Sequence, residues 1–451
     1  MGEDVVMIEP DIVSLRQLRA FEAVARLGSV SAAAREVNVS QPGVTQAVRT
    51  LEMRLRARLF ERRRSGCYVT ELGVILLPRV RRFCDQLRLG LSKPGDSGSA
   101  DRHDPDPAAR ITRPQLRSLI AISENPSFDA AARFLNISEP SLHRSARELE
   151  RELRRRLYQR TARGITTTPH GSELARRFRV ALREMEYGLE ELEAARGNIV
   201  SRVSIGNIPH SATEVLSNAV RELLSKYPAV SVQIVDGHYE DLLNDLRAGK
   251  LDLLFGVLRR PDWATDVREE MLFTNHYVVV ARKGHPLSRS RRPRLRDLGR
   301  FDWIMPGPMT PRQQALHRAM GSLPGAPKIS IETTSLPIYR TILATTDALT
   351  LMSSIEAQLN DDEALTVLPF RSPHLRRCDG IATRVSWEPT RTHLQFLDML
   401  RAQARLVAAP GRAGFPPRAG ATRRSMISPG GQGTRQRIAS HRRRSRFAAK
   451  G

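Results

Sequence analysis

The sequence has few cysteines, and they form no recognisable site. Cys67, Cys84 and Cys378 are widely spaced, and no CxxC or Cys/His cluster with zinc-ligand spacing occurs. They are interpreted as reduced thiols, and a two-cysteine peroxide sensor is disfavoured because the large C-terminal domain has only Cys378. No apolar run approaches the roughly 20 residues of a membrane span, and the N-terminus lacks a signal-peptide pattern. These absences predict a cytoplasmic protein with no membrane partner.

Acidic residues are also scarce, at 48 against 72 Lys and Arg, and the formal net charge is +24. The segment 409–451 has 11 Lys and Arg and no acid, which leaves +13 on the remainder. This low-complexity basic tail has too little apolar content to fold, and it either adds non-specific DNA affinity or is dispensable. A basic chain favours a polyanion, usually nucleic acid. The lack of a GxSxG, zinc or Gly-rich phosphate motif predicts no enzymatic activity and no cofactor.

What the sequence does contain is an internal repeat. Shifted by 98 residues, Gln17–Arg81 falls on Gln115–Arg179 without a gap, and 26 of the 65 pairs are identical. Two copies are too few for a solenoid, so each copy must be a small domain that closes on itself. We predict a first domain over 12–91, a second over 111–170, and a flexible linker rich in Gly, Ser, Pro and Asp over 92–110.

Each copy has the pattern of a winged helix-turn-helix. In the first copy a helix over about 14–26 ends at Gly28, Ser29 or Ser31 caps the next helix, and Ser40 caps a third. The segment 60–70 is predicted to be a β-hairpin wing. The polar face of the third helix suits the DNA major groove, and wing arginines suit phosphates, although an ordinary solvated surface remains the alternative. The candidate DNA-binding residues are Gln41, Thr45, Gln46, Arg62, Arg63 and Arg64 in the first copy and Glu139, His143, Arg144, Arg160 and Arg163 in the second.

The two copies differ at the positions that face the groove. Glu139 replaces Gln41, and an acid near phosphates is unfavourable unless it accepts a hydrogen bond from a cytosine amine. Arg144 replaces Gln46 and has the right shape to bind guanine. The copies are therefore expected to prefer different DNA sequences if both bind.

A long helix is predicted to follow the second copy over 171–199. Its apolar residues lie at spacings of 4, 4, 3, 4 and 3, which is typical of a coiled-coil seam: Leu174, Phe178, Leu182, Met185, Leu189 and Leu192. The seam either joins two protomers or packs on its own chain.

Strands alternate with helices from 200 to 408, which predicts a parallel α/β domain. Ligands of such sheets bind at strand ends, against helix N-termini, and hydroxyls there suit a small carboxylate or polyol. The alternative is that these hydroxyls only cap helices. The candidate effector-binding residues at these junctions are Ile208, Pro209, His210, Ser211, Gly237, His238, Leu258, Met309, Thr310, Thr333 and Ser335.

The first copy resembles the winged helix-turn-helix of LysR-type transcriptional regulators. The resemblance rests on Ser40-Gln41-Pro42, followed by Leu51-Glu52 and by Leu59-Phe60-Glu61-Arg62. It implies that the positions of Gln41, Pro42, Thr45, Gln46 and a wing arginine near Arg63 contact DNA, and Pro140 is the counterpart of Pro42 in the second copy. It also implies that the helix over 171–199 pairs protomers, and that the α/β domain is a two-lobed, periplasmic-binding-protein-like effector domain.

The expected protein is a multidomain bacterial regulator of the nucleoid, either activator or repressor. Its expected partners are double-stranded DNA, a small-molecule effector, a second copy in a homodimer or homotetramer, and RNA polymerase as a further candidate. The two winged helix-turn-helix units, which we call the first reader (12–91) and the second reader (111–170), depart from the family's usual single unit per chain. Two alternatives stay open: a ligand-independent architectural DNA-binding protein, and a solute-binding module whose helix-turn-helix units contact proteins.

Overall fold

The computed structural model describes residues 14–63, 66–92, 111–161, 164–209, 211–259, 264–308, 310–321, 327–359 and 364–408. The predicted tail and the predicted linker, apart from Ser92, lie outside these residues. The first copy has three helices, a two-stranded antiparallel wing and a long helix: α1 Leu15–Leu27, α2 Val30–Glu36, α3 Gln41–Arg54, β1 Phe60–Arg63, β2 Gly66–Val69 and α4 Glu71–Leu91.

The second copy repeats this order of elements: α5 Arg113–Glu124, α6 Phe128–Leu135, α7 Glu139–Leu153, β3 Tyr158–Thr161, β4 Gly164–Thr167 and α8 Pro169–Ala195. The helix ends follow local chemistry. Gly28 ends α1 in the left-handed conformation at φ 65°. The hydroxyls of Ser29 and Ser40 accept hydrogen bonds from backbone N–H groups in the first turns of α2 and α3. Each copy therefore has the predicted winged helix-turn-helix arrangement.

A half-buried glutamate joins the recognition helix to the wing in both copies. Glu52 Oε1 accepts hydrogen bonds from the backbone N–H groups of Leu59 at 2.8 Å and Phe60 at 3.1 Å. Glu150 accepts the equivalent pair, from Leu157 at 2.7 Å and Tyr158 at 3.1 Å. The Leu-Glu dipeptide is thus repeated because its carboxylate satisfies the backbone where the wing begins.

The long helices α4 and α8 pack along each other. The seam predicted on α8 is buried in one core with the apolar residues of α4, among them Leu76, Val80, Phe83, Leu87 and Leu91. The helix expected to pair two protomers therefore has its seam covered by its own chain, the second of the two interpretations. The physical reason is the repeat itself, since α4 is the same element one copy earlier and has the same apolar stripe.

The C-terminal domain alternates strands and helices as expected. Its elements are β5 Arg202–Asn207, α9 Thr213–Lys226, β6 Ser231–Asp236, α10 Tyr239–Arg247, β7 Leu253–Val257, β8 Val267–Arg282, α11 Leu295–Leu298, β9 Trp303–Met305, α12 Pro311–Met320, β10 Ile329–Glu332, α13 Leu336–Thr345, β11 Thr350–Ser353, α14 Ser354–Leu359, β12 Leu365–Val367, β13 Arg376–Arg384 and α15 Arg391–Ala408.

The main sheet is mixed, not purely parallel as the alternation suggested. Its order is β11-β8-β13-β7-β5-β6, with β12 also paired to β8. Strands β6 and β7 run parallel to β5, whereas β13 runs antiparallel to both β7 and β8. Strand β13 escaped prediction because it has buried charges, Arg377 and Asp379, which bond to each other inside the sheet. Buried ion pairs mask the apolar pattern of a strand.

The domain has two lobes with separate cores. The first half of β8 pairs with β13, and its second half pairs with β11 and β12. One lobe has its cores around β5–β7, α9, α10 and α15, and the other around β9, β11 and α12. The two-lobed α/β architecture expected for 200–408 is confirmed.

A buried carboxylate fastens α8 to the first lobe. Asp252 is fully buried and accepts hydrogen bonds from Arg183 Nη2 at 3.1 Å, from the backbone N–H of Ser204 at 2.7 Å and from the Tyr187 hydroxyl. His393 Nε2 lies 3.1 Å from the same carboxylate. Because Arg183 and Tyr187 belong to α8, this network fixes the helix that extends from the second reader onto the sheet.

We predict that Asp252→Asn lowers the free energy of unfolding by about 3 kcal/mol or more, because it removes the fully buried carboxylate of the network and leaves the buried Arg183 with only Glu186 and Glu190, which lie nearer the surface. Urea unfolding followed by circular dichroism measures the change. The control is Asp398→Asn, which removes an exposed ion pair with Arg401 and should cost less than about 1 kcal/mol. Equal effects of the two substitutions would contradict the role assigned to Asp252.

The same carboxylate gives stability a pH dependence. Burial raises the pKa of Asp252, but Arg183 and His393 outweigh it and hold the pKa well below its ordinary value. Stability from the ionised form is fully present above the unfolded-state pKa of about 3.9 and is lost as pH falls towards the folded-state pKa. Between about pH 5 and about pH 3 the unaltered protein should therefore lose more stability than Asp252→Asn.

Candidate DNA interface and effector cleft

The first recognition helix presents uncharged polar groups at its N-terminal end. Gln41, Pro42 and Gln46 are exposed and Thr45 is half-buried, whereas the apolar face of α3 is in the core. Gln46 Nε2 lies 3.5 Å from the Thr50 hydroxyl, its one side-chain hydrogen bond among the described residues. The two glutamine amides are thus available to form bidentate hydrogen bonds with a base edge.

The wing of the first copy exposes a positive charge. The Arg63 side chain is 64% exposed, with Nη2 3.0 Å from Glu61 Oε2 and the guanidinium 5.3 Å from the centre of the Tyr68 ring. An exposed pair of this kind is weak and easily exchanged for a phosphate. Two predicted positions, Arg64 and the side chain of Arg62, lie outside the described residues.

The second recognition helix has a different surface. Glu139, Pro140 and Arg144 are exposed on α7. The His143 ring stacks on Phe128, with 4.4 Å between ring centres, and its Nε2 lies 3.5 Å from Glu139 Oε1. His143 thus packs on Phe128 and lies beside Glu139. Arg144 is the exposed arginine at the N-terminal end of α7. Of the second wing's residues, Arg160 is exposed and Arg163 lies outside the described residues.

A basic cluster at the end of α7 was missed in the sequence. It lines a shallow depression beside Glu150 and consists of Arg147, Arg151, Arg154, Arg155 and Arg156. In the first copy the positions of Arg151 and Arg155 are occupied by Met53 and Ala57. The sequence signal for this cluster is five arginines within ten residues. A comparison of the residues that the two copies share does not reveal it, because Arg151 and Arg155 are not shared.

A cleft between the two lobes brings several predicted effector residues together. It has an empty volume of about 500 Å³ and opens to solvent. The predicted residues that line it are Ile208, Pro209, Gly237, His238 and Thr310. Helices α10 and α12 both begin at this cleft, and His238 leaves α10 without a side-chain cap. These helix N-termini contribute positive potential to the cleft, which the acidic Glu240 and Asp241 in the first turn of α10 partly offset.

Other predicted residues do not line the cleft. Ser211 is buried, and its hydroxyl donates a hydrogen bond to the Ile208 carbonyl at 2.5 Å. The Thr333 hydroxyl accepts from the backbone N–H of Ser335 at 3.1 Å, so both serve the local turn. Leu258 also does not line the cleft, and His210 and Met309 lie outside the described residues. Ser211 and Thr333 thus serve local turns and cap no helix, since the N-caps of α9 and α13 are Ala212 and Ser335 and neither helix has a side-chain cap.

Two buried arginines line the cleft, each paired behind it. Arg312 Nη2 donates to Glu356 at 2.9 Å, and Arg377 Nε donates to Asp379 at 2.9 Å. Both guanidinium groups lie near the Tyr277 ring, at 5.8 and 5.1 Å from its centre. These pairs are neutral overall, so the two arginines shape the cleft without giving it a large net charge.

Arg259 and Tyr239 are the polar groups of the cleft with bonding capacity to spare. The Arg259 guanidinium lies 4.2 Å from the centre of the Tyr239 ring, and its Nη1 donates to the exposed Glu240 at 3.2 Å. Arg259 Nε and the Tyr239 hydroxyl are buried without a partner among the described residues. Burial and the Glu269 carboxylate raise the pKa of Tyr239 to about 12, so at neutral pH it is a donor. Unpaired buried donors cost about 1–3 kcal/mol each, which favours an acceptor in the cleft.

Two further features of the described part of the chain concern its metal-ligating and thiol side chains. No group of three or more His, Cys, Asp or Glu side chains there is placed to hold a metal ion. Burial raises the pKa of the Cys84 thiol to about 11, which makes it unreactive at neutral pH. The helices within the described ranges include none that is long and apolar enough to cross a bilayer.

Comparison with known families matches both parts of the chain. Residues 196–405 match the LysR substrate binding domain. Residues 15–74 and 114–172 each match the bacterial regulatory helix-turn-helix protein, LysR family. The duplicated match coincides with the two winged helix-turn-helix units of the structure.

Individual relatives agree with this division. The HTH-type transcriptional regulator GalR of Pseudomonas putida is 29% identical over 381 residues, covering 84% of this chain and 94% of that protein. Since 111–408 comprises only 298 residues, that alignment must also include part of the first unit. PcaQ of Agrobacterium fabrum is 26% identical over 288 residues, covering 62% of this chain and 91% of its own. Full-length OxyR of Pseudomonas aeruginosa shares the fold, with a TM-score of 0.52 at 20% identity over 66% of this chain and 95% of that one.

Proposed function

The chain belongs to the LysR family of bacterial transcriptional regulators, and we propose that it binds operator DNA through both winged helix-turn-helix units, under the control of a small organic anion. LysR regulators bind DNA and small-molecule effectors and act as oligomers. The observation that carries the proposal is the presence, in one chain, of two exposed recognition helices and an arginine-lined cleft. RNA polymerase remains a candidate partner for the activating or repressing step.

The exposed residues of α3 and α7 are suited to different bases. Glutamine amides match adenine, whereas an arginine guanidinium matches guanine, so Gln46 and Arg144 are proposed as the main specificity residues. Gln41, Pro42, Thr45, Glu139 and Pro140 complete the two surfaces. Arg63, Arg160 and the cluster Arg147–Arg156 are proposed to bind phosphates, which position the protein without reading sequence.

We predict that Arg144→Ala weakens operator binding by about 1–3 kcal/mol and relaxes specificity at one base pair, because it removes a bidentate contact. The operator is first located by footprinting DNA upstream of the protein's own gene, and affinity is then measured by fluorescence anisotropy. Arg151→Ala should instead weaken binding to all sequences and reduce the magnitude of the salt slope by about 0.9. Arg401→Ala, in the effector domain, is the control for lost charge. If all three variants behave alike, α7 does not read DNA.

The cleft is suited to a carboxylate ligand. Arg259 Nε and the Tyr239 hydroxyl supply donors without a partner, and the N-termini of α10 and α12 add backbone N–H groups. The faces of Tyr239 and Tyr277 provide apolar surface for the rest of the molecule. A small organic anion satisfies both features, whereas a neutral polyol leaves the positive potential uncompensated.

We predict that Arg259→Ala weakens carboxylate binding by about 10- to 100-fold, since it removes a charged donor, and that Tyr239→Phe has a smaller effect. The probes are benzoate, succinate and citrate, with binding measured as the ligand-induced rise in Tm and by calorimetry. Arg282→Ala, whose surface pair with Asp347 lies outside the cleft lining, is the matched control. Tighter binding of uncharged sugars than of all carboxylates would refute the proposed effector class.

We further propose that the protein binds its ligand without converting it and acts in the bacterial cytoplasm, at the chromosome. The support is that the named relatives are transcriptional regulators. A ligand-independent architectural role is disfavoured, because 196–405 match a substrate binding domain and enclose a cleft. Protein-binding helix-turn-helix units are disfavoured because both matches are to regulatory DNA-binding domains of the same family.

A further inference from the structure

The contact between α4 and α8 has the symmetry of a dimer interface. Both helices have a glycine at the crossing, and a β carbon built on Gly90 lies 3.2 Å from the β carbon of Arg177. A β carbon built on Gly188 likewise lies 3.2 Å from the β carbon of Arg79. Gly188 and Arg177 are 98 residues after Gly90 and Arg79, so the second contact is the first with the copies exchanged. Reciprocal contacts of this kind define an isologous, two-fold interface.

The polar contacts between α4 and α8 have the same approximate two-fold symmetry. Arg79 Nη1 donates to Glu184 at 3.1 Å, and Arg177 Nη1 donates to Gln86 at 3.4 Å. Glu184 follows Gln86 by 98 residues, as Arg177 follows Arg79. The C-terminal part of each helix meets the N-terminal part of the other, so the pair is antiparallel. Two independent sets of contacts therefore relate the first unit to the second by an approximate two-fold axis.

One position breaks this symmetry. Arg79 is 3% exposed, also binds Glu191 at 2.9 Å, and donates to the backbone carbonyl of Glu388 in the effector domain at 2.8 Å. Its guanidinium lies 5.2 Å from the centre of the Tyr187 ring. The effector domain thus sits on one side of the pair, where the Arg79 guanidinium of the first unit contacts both α8 and the loop between β13 and α15.

We propose that one chain is an internal pseudo-dimer, in which α4 and α8 pair the two readers so that a single chain recognises two adjacent, inverted and non-identical half-sites. A two-fold relation between readers is matched by an inverted relation between half-sites, at a spacing of about one helical turn or a multiple of it. Because α3 and α7 differ at the groove-facing positions, the half-sites differ in sequence. Since the seam is occupied internally, oligomers of the chain use other surfaces. The proposal rests on the proposed function in requiring that both readers bind DNA.

The first test asks whether the helices pair within or between chains. Gly90→Cys and Arg177→Cys are combined in a full chain without its native cysteines, Cys67, Cys84 and Cys378. Disulfides usually have β carbons about 3.5–4.5 Å apart, so the 3.2 Å separation needs only a small adjustment. On mild oxidation we expect most chains to run as monomers of altered mobility on a non-reducing gel. A covalent dimer, or no cross-link, would overturn the proposal.

The control mixes two chains, one with Gly90→Cys alone and the other with Arg177→Cys alone. Neither can form this cross-link internally, so oxidation should leave both as unlinked monomers. A covalent heterodimer in the mixture would place the pair between protomers, as the family resemblance implied, and the proposal would be wrong.

The second test uses DNA and does not depend on the cysteine variants. On an operator mutated one half-site at a time, Gln46→Ala should change base preference about 5- to 150-fold in one half-site, and Arg144→Ala in the other. If Arg144→Ala alters both half-sites and Gln46→Ala neither, two chains each use the second reader and the internal pair is refuted. If both variants bind every DNA as the unaltered protein does, the proposed function fails. The cross-linking result is independent of DNA, so it shows separately whether the pairing of α4 with α8 also fails.

Discussion

The close packing of α4 against α8 is the constraint on which the rest of the molecule depends. It is possible because Gly90 and Gly188 lack side chains where the helices cross, so that Arg177 and Arg79 approach them. Each helix extends directly from the wing of its own reader, so fixing the helices fixes both recognition helices. A β carbon at either glycine would lie 3.2 Å from the β carbon of an arginine on the other helix, so a small side chain requires a shift of a few tenths of an ångström and a large one requires more.

The effector domain is joined to this pair mainly by its first lobe. Asp252 bonds to Arg183 and Tyr187 of α8, and Arg384 donates to the carbonyls of Leu246 and Leu251 within the same lobe. Tyr239 and Arg259 also belong to this lobe, whereas Arg312 lies at the start of α12 in the other. Under the proposed function, a ligand that contacts both sides would favour one position of the second lobe relative to a first lobe fixed to α8, and so one population of protomer arrangements.

The features that the sequence predicted well are local ones. Gly28, the Ser40 cap and the two wings depend on residues only a few positions apart, and the repeat supplied each pattern twice. The pairing of α4 with α8 depends on residues about a hundred positions apart, and nothing in either helix distinguishes a partner within the chain from one outside it. Prediction of the cleft was limited in the same way. The pairing of Arg312 with Glu356 depends on residues that come together only when the second lobe folds. Ser211 had the residue type of a ligand-binding group, but its hydroxyl bonds to the Ile208 carbonyl.

The two readers differ in the residues that are suited to contact phosphates and bases. The second has Arg151 and Arg155 where the first has Met53 and Ala57, but the first has Arg54 where the second has Glu152. The wing of the first also has three consecutive arginines, Arg62 to Arg64, so both units are basic and differ in where the positive charge lies. The first offers glutamine amides, which discriminate bases by hydrogen bonding and contribute little long-range attraction. If both units bind DNA as proposed, the helix pair keeps each unit at high local concentration over its half-site once the other is bound. A unit that binds weakly alone would then contribute specificity, because its binding is intramolecular.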